Sequence, residues 1–482
     1  MVRRLFPALL FPAVLLLAAC SSKSKAEGAR DAEADAATTV TVAVVDAGPP
    51  PAEAKAAETK PDAPPDDVTA YVRAHLPKGG SVLAGDPPKI THEVQPGDHA
   101  QSLANAYLEL TEVYRVEELT ALLAKKRLAP GSTIEIPSPI RAVPRDPKEE
   151  RLGWPEDKVL KGVFVTGAWA SIKWADTVDK VADHGLNAIV LDGKDYDGYV
   201  NYPSKAKIAV ESGAIRATNI PNLVRAVRYA HWHGVRVIFR IPCFHDPWAD
   251  KHLPDSRLSI RYTPTGKPIH IDWIDPTLPE AQDYAIEIAK EGIEAGVDEV
   301  QLDYVRFPVH VTQKVAVLPD PSERSKIMRD FVKRVAAVTH ADGVKLSLDF
   351  FGVTATGIQE DIDKLGQDIP TVAPEADAIS LMSYPSHYGK GYLGFSNPAD
   401  HVEIIGIGNR AALEKLKPTG AKTIFRTWLQ AFPQGVTRYD SAYLLGQAKS
   451  AETSGGVGWL MWSPGCQYDQ VWMGWPSIKA KK

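Results

Sequence analysis

Apolar runs alternate with helical periodicity along the chain from residue 158 onward. Each run is short enough for one β-strand, and the segments between them carry apolar residues three and four positions apart, which is typical of amphipathic helices. The predicted strands are 162–167, 187–194, 235–241, 297–307, 344–350, 378–384, 422–429 and 456–462. The predicted helices are 174–184, 221–233, 280–294, 322–339, 397–415 and 439–452. This alternation over residues 158–475 predicts an α/β fold of the (β/α)8 TIM-barrel class. A doubly wound open sheet is the alternative, although no glycine-rich phosphate loop follows the first strand.

The start of the chain has the layout of a secretory signal. Two arginines precede the apolar run 5–17, and Leu17-Ala-Ala-Cys20 follows it. The four residues resemble the bacterial lipobox, in which the cysteine becomes the lipid-bearing first residue of the mature protein. We therefore expect residues 1–20 to be a lipoprotein signal peptide with Cys20 as the lipidation site. Serines rather than aspartate follow Cys20, which resembles lipoproteins bound for the outer membrane of a Gram-negative cell. Secretion without a lipid is the alternative.

Residues 21–88 are mostly Ala, Pro, Asp, Glu and Lys. They lack a sustained hydrophobic face and predict a disordered tether that holds the folded part away from a membrane surface. Within them, residues 68–75 predict a short helix.

The stretch 89–140 predicts a small α+β unit of strand, helix, helix and strand. It begins with Val94-Gln-Pro-Gly-Asp98 and ends with Pro130-Gly-Ser-Thr-Ile-Glu-Ile-Pro137. These motifs and their order resemble the LysM fold, whose members bind glycans containing N-acetylglucosamine, such as peptidoglycan. His99 departs from the pattern, since threonine is usual there, and a spacer without glycan affinity is the alternative.

Polar residues collect where the predicted barrel strands end. In Val297-Asp-Glu-Val-Gln-Leu-Asp-Tyr-Val-Arg-Phe-Pro308 the apolar and polar residues alternate, and Asp303 lies near the strand end. Asp349 ends the next strand, and neighbouring strands are about 4.8 Å apart, so the two carboxyl groups are expected at the spacing that glycosidases use. We expect Asp303 to act as nucleophile or charge stabiliser, kept ionised by Gln301 and Arg306.

A second carboxyl group is needed to protonate the leaving group. Asp349 is expected to be this general acid, with its pKa raised by Phe350, Phe351 and Tyr384. Asp192 is a third candidate for the same role. The further residues expected to bind substrate are Lys194, Arg240, Trp273, Gln301, Arg306, Tyr384, His387, Tyr388, Arg426, Trp428 and Trp462.

The motifs at the strand ends resemble a known family. Gly162-Val-Phe-Val-Thr-Gly167, the fourth-strand segment 298–308, Leu348-Asp-Phe-Phe-Gly352, Met382-Ser-Tyr-Pro-Ser-His-Tyr388 and Arg426-Thr-Trp-Leu-Gln-Ala-Phe432 are similar to a bacterial family of TIM-barrel glycosyl hydrolases. Leu191-Asp-Gly-Lys-Asp195 also fits it. The resemblance implies a (β/α)8 barrel and glycoside hydrolysis, with no substrate assigned.

Composition excludes some classes of partner. The net charge of −5 gives no indication of a positively charged surface that would bind nucleic acid. Cys243 and Cys466 are the cysteines of the body, and their pairing is left open. His245-Asp246 lacks a third ligand at suitable spacing, so no metal and no cofactor are expected.

Two main hypotheses follow. The first is an envelope-anchored glycoside hydrolase of the outer membrane that cleaves an extracellular or cell-wall polysaccharide. The second is a non-catalytic glycan-binding lipoprotein. A structural envelope protein is a weaker third.

Overall fold

The computed structural model describes residues 67–478. The signal peptide, Cys20 and the tether up to residue 66 lie outside these residues, and those expectations stay predictions. Within 67–478, none of the helices has the length and apolarity needed to cross a membrane.

The first part of the described chain is a three-stranded antiparallel sheet with three helices. Its elements are α1 (Val68–His75), β1 (Gly80–Leu83), β2 (Lys89–Glu93), α2 (Ala100–Tyr107), α3 (Val116–Leu123) and β3 (Thr133–Glu135), with the strand order β1-β2-β3. Strand, helix, helix and strand follow one another between residues 89 and 135, in the order predicted from the sequence. LysM identity stays a prediction.

The expectation of a tether up to residue 88 is wrong for residues 67–88. Val72 of α1 is fully buried in the core of this unit, and β1 pairs with β2 from Gly80 to Leu83. The run is polar overall, but a few apolar residues suffice because a partner strand and a core are already at hand.

The unusual His99 serves as the N-cap of α2. Its ring accepts a hydrogen bond from the Ser102 N–H at 3.2 Å, and the Ser102 hydroxyl accepts one from the His99 N–H at 3.0 Å. This reciprocal pair satisfies two N–H groups at the start of the helix. The departure from threonine therefore leaves the helix start intact.

The rest of the chain is a closed parallel barrel, which rules out the open-sheet alternative. Its strands are β4 (Lys161–Val165), β5 (Ala188–Asp192), β6 (Arg236–Pro242), β7 (Glu299–Asp303), β8 (Lys345–Phe351), β9 (Ala378–Met382), β10 (Ile424–Phe425), β11 (Thr427–Gln430) and β12 (Trp459–Trp462). β10 and β11 together occupy one strand position of the barrel, which therefore has eight strand positions. It closes because β12 pairs with β4 and β8 with β9.

Helices surround the barrel. They are α4 (Gly167–Asp183), α5 (Lys207–Ser212), α6 (Leu223–Trp232), α7 (Pro247–His252), α8 (Pro279–Glu294), α9 (Pro321–Ala341), α10 (Val353–Thr356), α11 (Gln359–Leu365), α12 (Ile369–Val372), α13 (Glu403–Leu416), α14 (Ser441–Thr453) and α15 (Asp469–Gly474). Each predicted helix overlaps one of them. Side-chain caps fix several starts, for example Thr166 at α4 and Asn222 at α6.

The prediction that the fourth barrel strand runs to Phe307 is wrong. β7 ends at Asp303, because Tyr304 has a φ of 49° and leaves the extended conformation. The Asp303 carboxylate accepts a hydrogen bond from the Tyr304 N–H at 2.5 Å, which supports this turn. The chain leaves the sheet well before Pro308.

The segment before the barrel covers the amino ends of its strands. The Gly153 N–H donates to Asp298 at 2.7 Å, Arg236 donates to the Gly153 carbonyl at 2.6 Å, and the Trp154 indole donates to Glu299 at 2.6 Å. Residues 150–154 therefore form part of the barrel floor.

Arg225 of α6 connects the N-terminal unit to the barrel through hydrogen bonds. It is buried, and its guanidinium donates to the carbonyls of Leu108 and Thr111 at 2.9 Å and of Tyr114 at 3.1 Å. One barrel side chain thus satisfies the carbonyls of the turn between α2 and α3.

Candidate active site

Arg240 lies at the centre of a group of aspartates at the carboxyl ends of the strands. It stands on β6 in register with Asp192 of β5, while Pro242 is in register with Asp303 of β7. Its guanidinium donates to Asp192 at 2.5 Å, and both Nε, at 3.2 Å, and Nη2 donate to the same oxygen of Asp303. Nε is 3.6 Å from the carboxylate of Asp349. Three carboxyl groups therefore share one positive charge.

Asp303 has both oxygens engaged. One accepts from Arg240 and the other from the Tyr304 N–H. The expected hydrogen bond from Gln301 is absent, because Gln301 donates to the Ser380 hydroxyl at 3.1 Å. The charge of Arg306 does interact with that of Asp303, but its guanidinium donates to the Phe307 carbonyl and faces aromatic rings, so neither residue contacts the carboxylate directly. Arg240, two residues before the end of a different strand, takes that role.

Asp349 is completely buried beside Asp303. The Trp428 indole donates to one oxygen at 2.7 Å, and the other has no hydrogen-bond partner. Burial, and then the negative charge of Asp303, hold the pKa of Asp349 well above its usual value, although Arg240 and Trp428 oppose the shift. The predicted direction for a general acid is thus present, and Trp428 is the side chain that donates a hydrogen bond to the carboxyl group.

Asp192 is also nearly inaccessible. Burial raises the pKa of Asp192 well above its usual value, while Arg240 lowers it. A protonated carboxyl group beside an arginine costs less to bury than a second unpaired anion.

Asp195 is a candidate that the sequence analysis did not assign a role. Its carboxylate accepts from Asn201 at 2.9 Å, and it is less buried than the three aspartates around Arg240. Burial raises the pKa of Asp195 to about 6, in the range that a general acid needs. Gly167 makes this possible, since a Cβ there would lie 2.0 Å from Asn201. The family motif ending at Asp195 was the available signal.

Aromatic rings stand on both sides of this centre. On one side His245 packs at 4.8 Å from Tyr304 and 5.4 Å from Trp273, between ring centres. On the other side Tyr384 stacks on Trp462 at 5.3 Å, with His387 at 5.0 Å. Tyr388 lies further along the second side and stacks on Tyr392 at 4.2 Å. The predicted rings therefore gather at the rim, but Trp273 and Trp428 are each only 2% exposed and have little surface left for a sugar.

Three predicted substrate ligands are buried inside the protein. Lys194 is buried and pairs with Asp246 at 2.7 Å and with the Pro242 carbonyl at 2.9 Å. Arg426 is fully buried and pairs with Glu299, at the first residue of β7, with N···O distances of 2.8 and 2.9 Å. Gln301 is fully buried one layer below Asp303. These assignments are wrong because the three side chains are buried and have partners inside the protein, which leaves them no surface for a substrate.

No cluster of three or more His, Cys, Asp or Glu suited to a metal ion occurs among residues 67–478. Cys243 and Cys466 are both buried free thiols. Burial raises the pKa of the Cys466 thiol to about 11.

Comparison with solved structures gives matches at low structural similarity. A hypothetical protein from Ruminiclostridium thermocellum is 31% identical, with 39% of this chain and 96% of that chain covered and a TM-score of 0.34. The PgaB (BpsB) glycoside hydrolase domain from Bordetella bronchiseptica is 15% identical, covers 67% of this chain and 100% of its own, and has a TM-score of 0.49. An endo-1,4-beta-D-mannanase from Thermotoga petrophila is 12% identical, with 63% and 88% covered and a TM-score of 0.42. No curated protein matches the chain.

A family model decides the classification. It matches residues 162–468, which is more than half of the chain and includes all of the aspartates around Arg240. The chain belongs to the glycosyl hydrolase family described as "Putative glycosyl hydrolase domain".

Proposed function

We propose that this protein hydrolyses O-glycosidic bonds of a polysaccharide, using the carboxyl groups that surround Arg240. The observation that carries the proposal is the excess of carboxyl groups over positive charge at the carboxyl ends of the strands, where barrel enzymes place their chemistry. A purely structural ion pair needs one carboxylate for one arginine.

Asp303 is the proposed reacting carboxylate. Arg240 and the Tyr304 N–H stabilise its ionised form and fix its orientation, and its side chain retains 7% exposure. The strained φ of Tyr304 belongs to the same turn, and strained backbone of this kind clusters at functional sites. Asp303 attacks the anomeric carbon or stabilises the positive charge that develops there.

Two carboxyl groups qualify as the proton donor. Asp349 has the strongly raised pKa, but none of its surface is exposed. Asp195 has a pKa of about 6 and is the more exposed of the two. The donor must come within hydrogen-bond reach of the leaving oxygen, directly or through one water. Access favours Asp195, and adjacency to Asp303 favours Asp349.

The cell envelope is the proposed place of action. The lipobox-like Leu17-Ala-Ala-Cys20 supports a lipid anchor, in keeping with an outer-membrane lipoprotein, and the LysM-like unit supports binding to peptidoglycan. Because Arg225 fastens that unit to the barrel, the wall-binding and cleaving parts would move as one body.

The test of the main proposal is a glycan panel assayed for new reducing ends, with the wild type and Asp303→Asn side by side. Cleavage by the wild type and none by the variant supports it. Binding without cleavage by the wild type supports the second candidate, a non-catalytic glycan-binding protein, which the complete burial of Asp349 favours.

The location is tested separately. Mass analysis of the mature N-terminus should show diacylglycerol on Cys20, and Cys20→Ser should release the protein from membranes. The mature protein should sediment with peptidoglycan and be displaced by N-acetylglucosamine oligomers. An unmodified terminus, or no sedimentation of the folded protein, overturns the respective part.

A further inference from the structure

Arg306 has no carboxylate partner among the described residues, although it lies at the rim close to Asp303. Its Nη1 donates to the Phe307 carbonyl at 3.1 Å, and Nε and Nη2 make no hydrogen bond within residues 67–478. The residue is only 7% exposed. A buried charge without a counter-charge is costly, so its retention calls for an explanation.

Three rings enclose this guanidinium. Its central carbon lies 4.4 Å from the ring centre of Phe351, 4.6 Å from that of Trp273 and 5.2 Å from that of Tyr304. Burial lowers the pKa of Arg306 to about 10, which leaves it charged at neutral pH. The rings fix its direction and attract its charge, but they do not neutralise it.

The nearby acidic groups are already engaged. Both oxygens of Asp303 accept hydrogen bonds from Arg240 and Tyr304, and Asp272 pairs with Lys251 at 2.5 Å. The pKa of His245 is lowered, first by burial and further by the charge of Arg306. Asp303 attracts the charge of Arg306 without contacting it, so among the described residues no carboxylate is left to bind the Arg306 guanidinium directly.

Arg426, which pairs with a carboxylate inside the same barrel, provides a comparison for Arg306. It is fully buried and pairs with Glu299, and its Nε and Nη2 are sealed from solvent. The free Nε and Nη2 of Arg306 are not among the sealed atoms. They form one edge of the guanidinium, which is the edge that binds a carboxylate through two parallel hydrogen bonds.

We infer that Arg306 binds a carboxylate of the glycan, so that the substrate is an acidic polysaccharide carrying such a group beside the bond that is cleaved. This inference rests on the proposed function and names its substrate class. The carboxylate can belong to a uronic acid or to the lactyl group of a peptidoglycan strand that carries no stem peptide, since both present the same planar anion.

The test compares acidic glycans with their carboxyl-reduced, neutral counterparts. Uronate polymers and peptidoglycan strands without stem peptides form the two arms. Each is assayed with the wild type, Arg306→Gln, Arg306→Lys and the control Arg329→Gln, since Arg329 is a partly exposed arginine on α9. The wild type and the control should favour the acidic form. Arg306→Gln should lose about 10- to 150-fold of this preference, chiefly in KM, because a charge-assisted hydrogen bond is lost. Arg306→Lys should retain part of it. The preferred arm identifies the source of the carboxylate.

Calorimetric binding of acidic and reduced oligosaccharides separates this inference from the proposed function. If no glycan is cleaved but the acidic oligosaccharides bind more tightly through Arg306, the proposed function fails and the inference holds. Equal affinity for both forms overturns the inference, even if cleavage is observed. A preference that persists in folded Arg306→Gln overturns it as well.

Discussion

The barrel contains two buried arginine–carboxylate centres, one at each end of its strands. At the amino end, Arg426 pairs with Glu299 alone, and Trp154 covers the pair with its ring 4.8 Å from the guanidinium. At the carboxyl end, Arg240 faces Asp192, Asp303 and Asp349. The first residue of β7 carries the one centre and its last residue the other, about 13 Å apart along the strand.

The difference lies in the balance of charge. At the amino end, one carboxylate neutralises one arginine, and residues 150–154 at the barrel floor exclude solvent from the pair. Burial first, and then the crowding of negative charges, raise the pKa values of Asp192 and Asp349, because three buried carboxyl groups beside one arginine cannot all be ionised cheaply. Such a set can exchange protons, which is what acid–base chemistry requires.

After the loss of Asp303 itself, the largest effect on cleavage is expected at the proton donor. Replacing the true donor by asparagine should slow cleavage of sugars with poor leaving groups by about 10²–10⁴-fold, and affect activated aryl glycosides far less. Asp349→Asn and Asp195→Asn, compared on both substrate types, identify the donor. If neither variant distinguishes the two leaving groups, neither residue is the acid.

The next effect concerns the stability of the closed pair. Glu299→Gln leaves Arg426 buried without its counter-charge and should lower the free energy of unfolding by about 3–5 kcal/mol. Urea unfolding of the variant against the wild type measures it. A change below about 1 kcal/mol would show that the floor tolerates an unpaired arginine and that the pair is not structural.

The pH dependence of stability should have opposite signs at the two ends. The folded-state pKa of Asp349 is raised, so the folded state binds the proton more tightly. The contribution of Asp349 to stability therefore falls as pH rises above about 4, by about 1.4 kcal/mol per pH unit at most. Asp349→Asn should remove this fall and be relatively more stable at neutral pH.

Asp377, near the barrel floor, is the matched control. Burial alone would raise the pKa of Asp377, but hydrogen bonds from the Leu346 N–H, His340 and Lys345 lower it. Its stabilisation is present above the unfolded pKa and is lost as pH falls, so Asp377→Asn should destabilise at neutral pH. Unfolding curves across pH 3–8 that give both variants the same sign would contradict the comparison.

The smallest effect is expected for Trp154, whose ring covers the Arg426–Glu299 pair. Trp154→Phe keeps a ring over Arg426 but removes the hydrogen bond to Glu299, which should cost about 1.5–3 kcal/mol. Activity at a temperature where the variant is folded should be unchanged. A loss of activity without loss of stability would mean that a change at the barrel floor alters the active site at the other end of the strands.

Much of the fold could be predicted because it follows from local patterns. The eight barrel positions and their helices come from apolar periodicity, and Asp303 and Asp349 were placed on neighbouring strands by their position at strand ends. The roles of individual polar residues could not be predicted in the same way. Polar residue types typical of binding sites occur at Lys194, Arg426 and Gln301. Their partners are Asp246, Glu299 and Ser380, which come from distant parts of the sequence. Nothing local to Asp303 indicated that Tyr304 would leave the strand or that Arg240 would bind it.

The most direct measurement is kcat/KM for Asp303→Asn and Glu299→Gln on the same cleaved glycan, at a temperature where both are folded. The account predicts that Asp303→Asn abolishes cleavage while its free energy of unfolding stays within about 2 kcal/mol of the wild type. It predicts that Glu299→Gln keeps activity of the wild-type order despite its lower stability. Full activity in Asp303→Asn, or loss of activity in folded Glu299→Gln alone, would contradict the assignment of chemistry to the centre around Arg240.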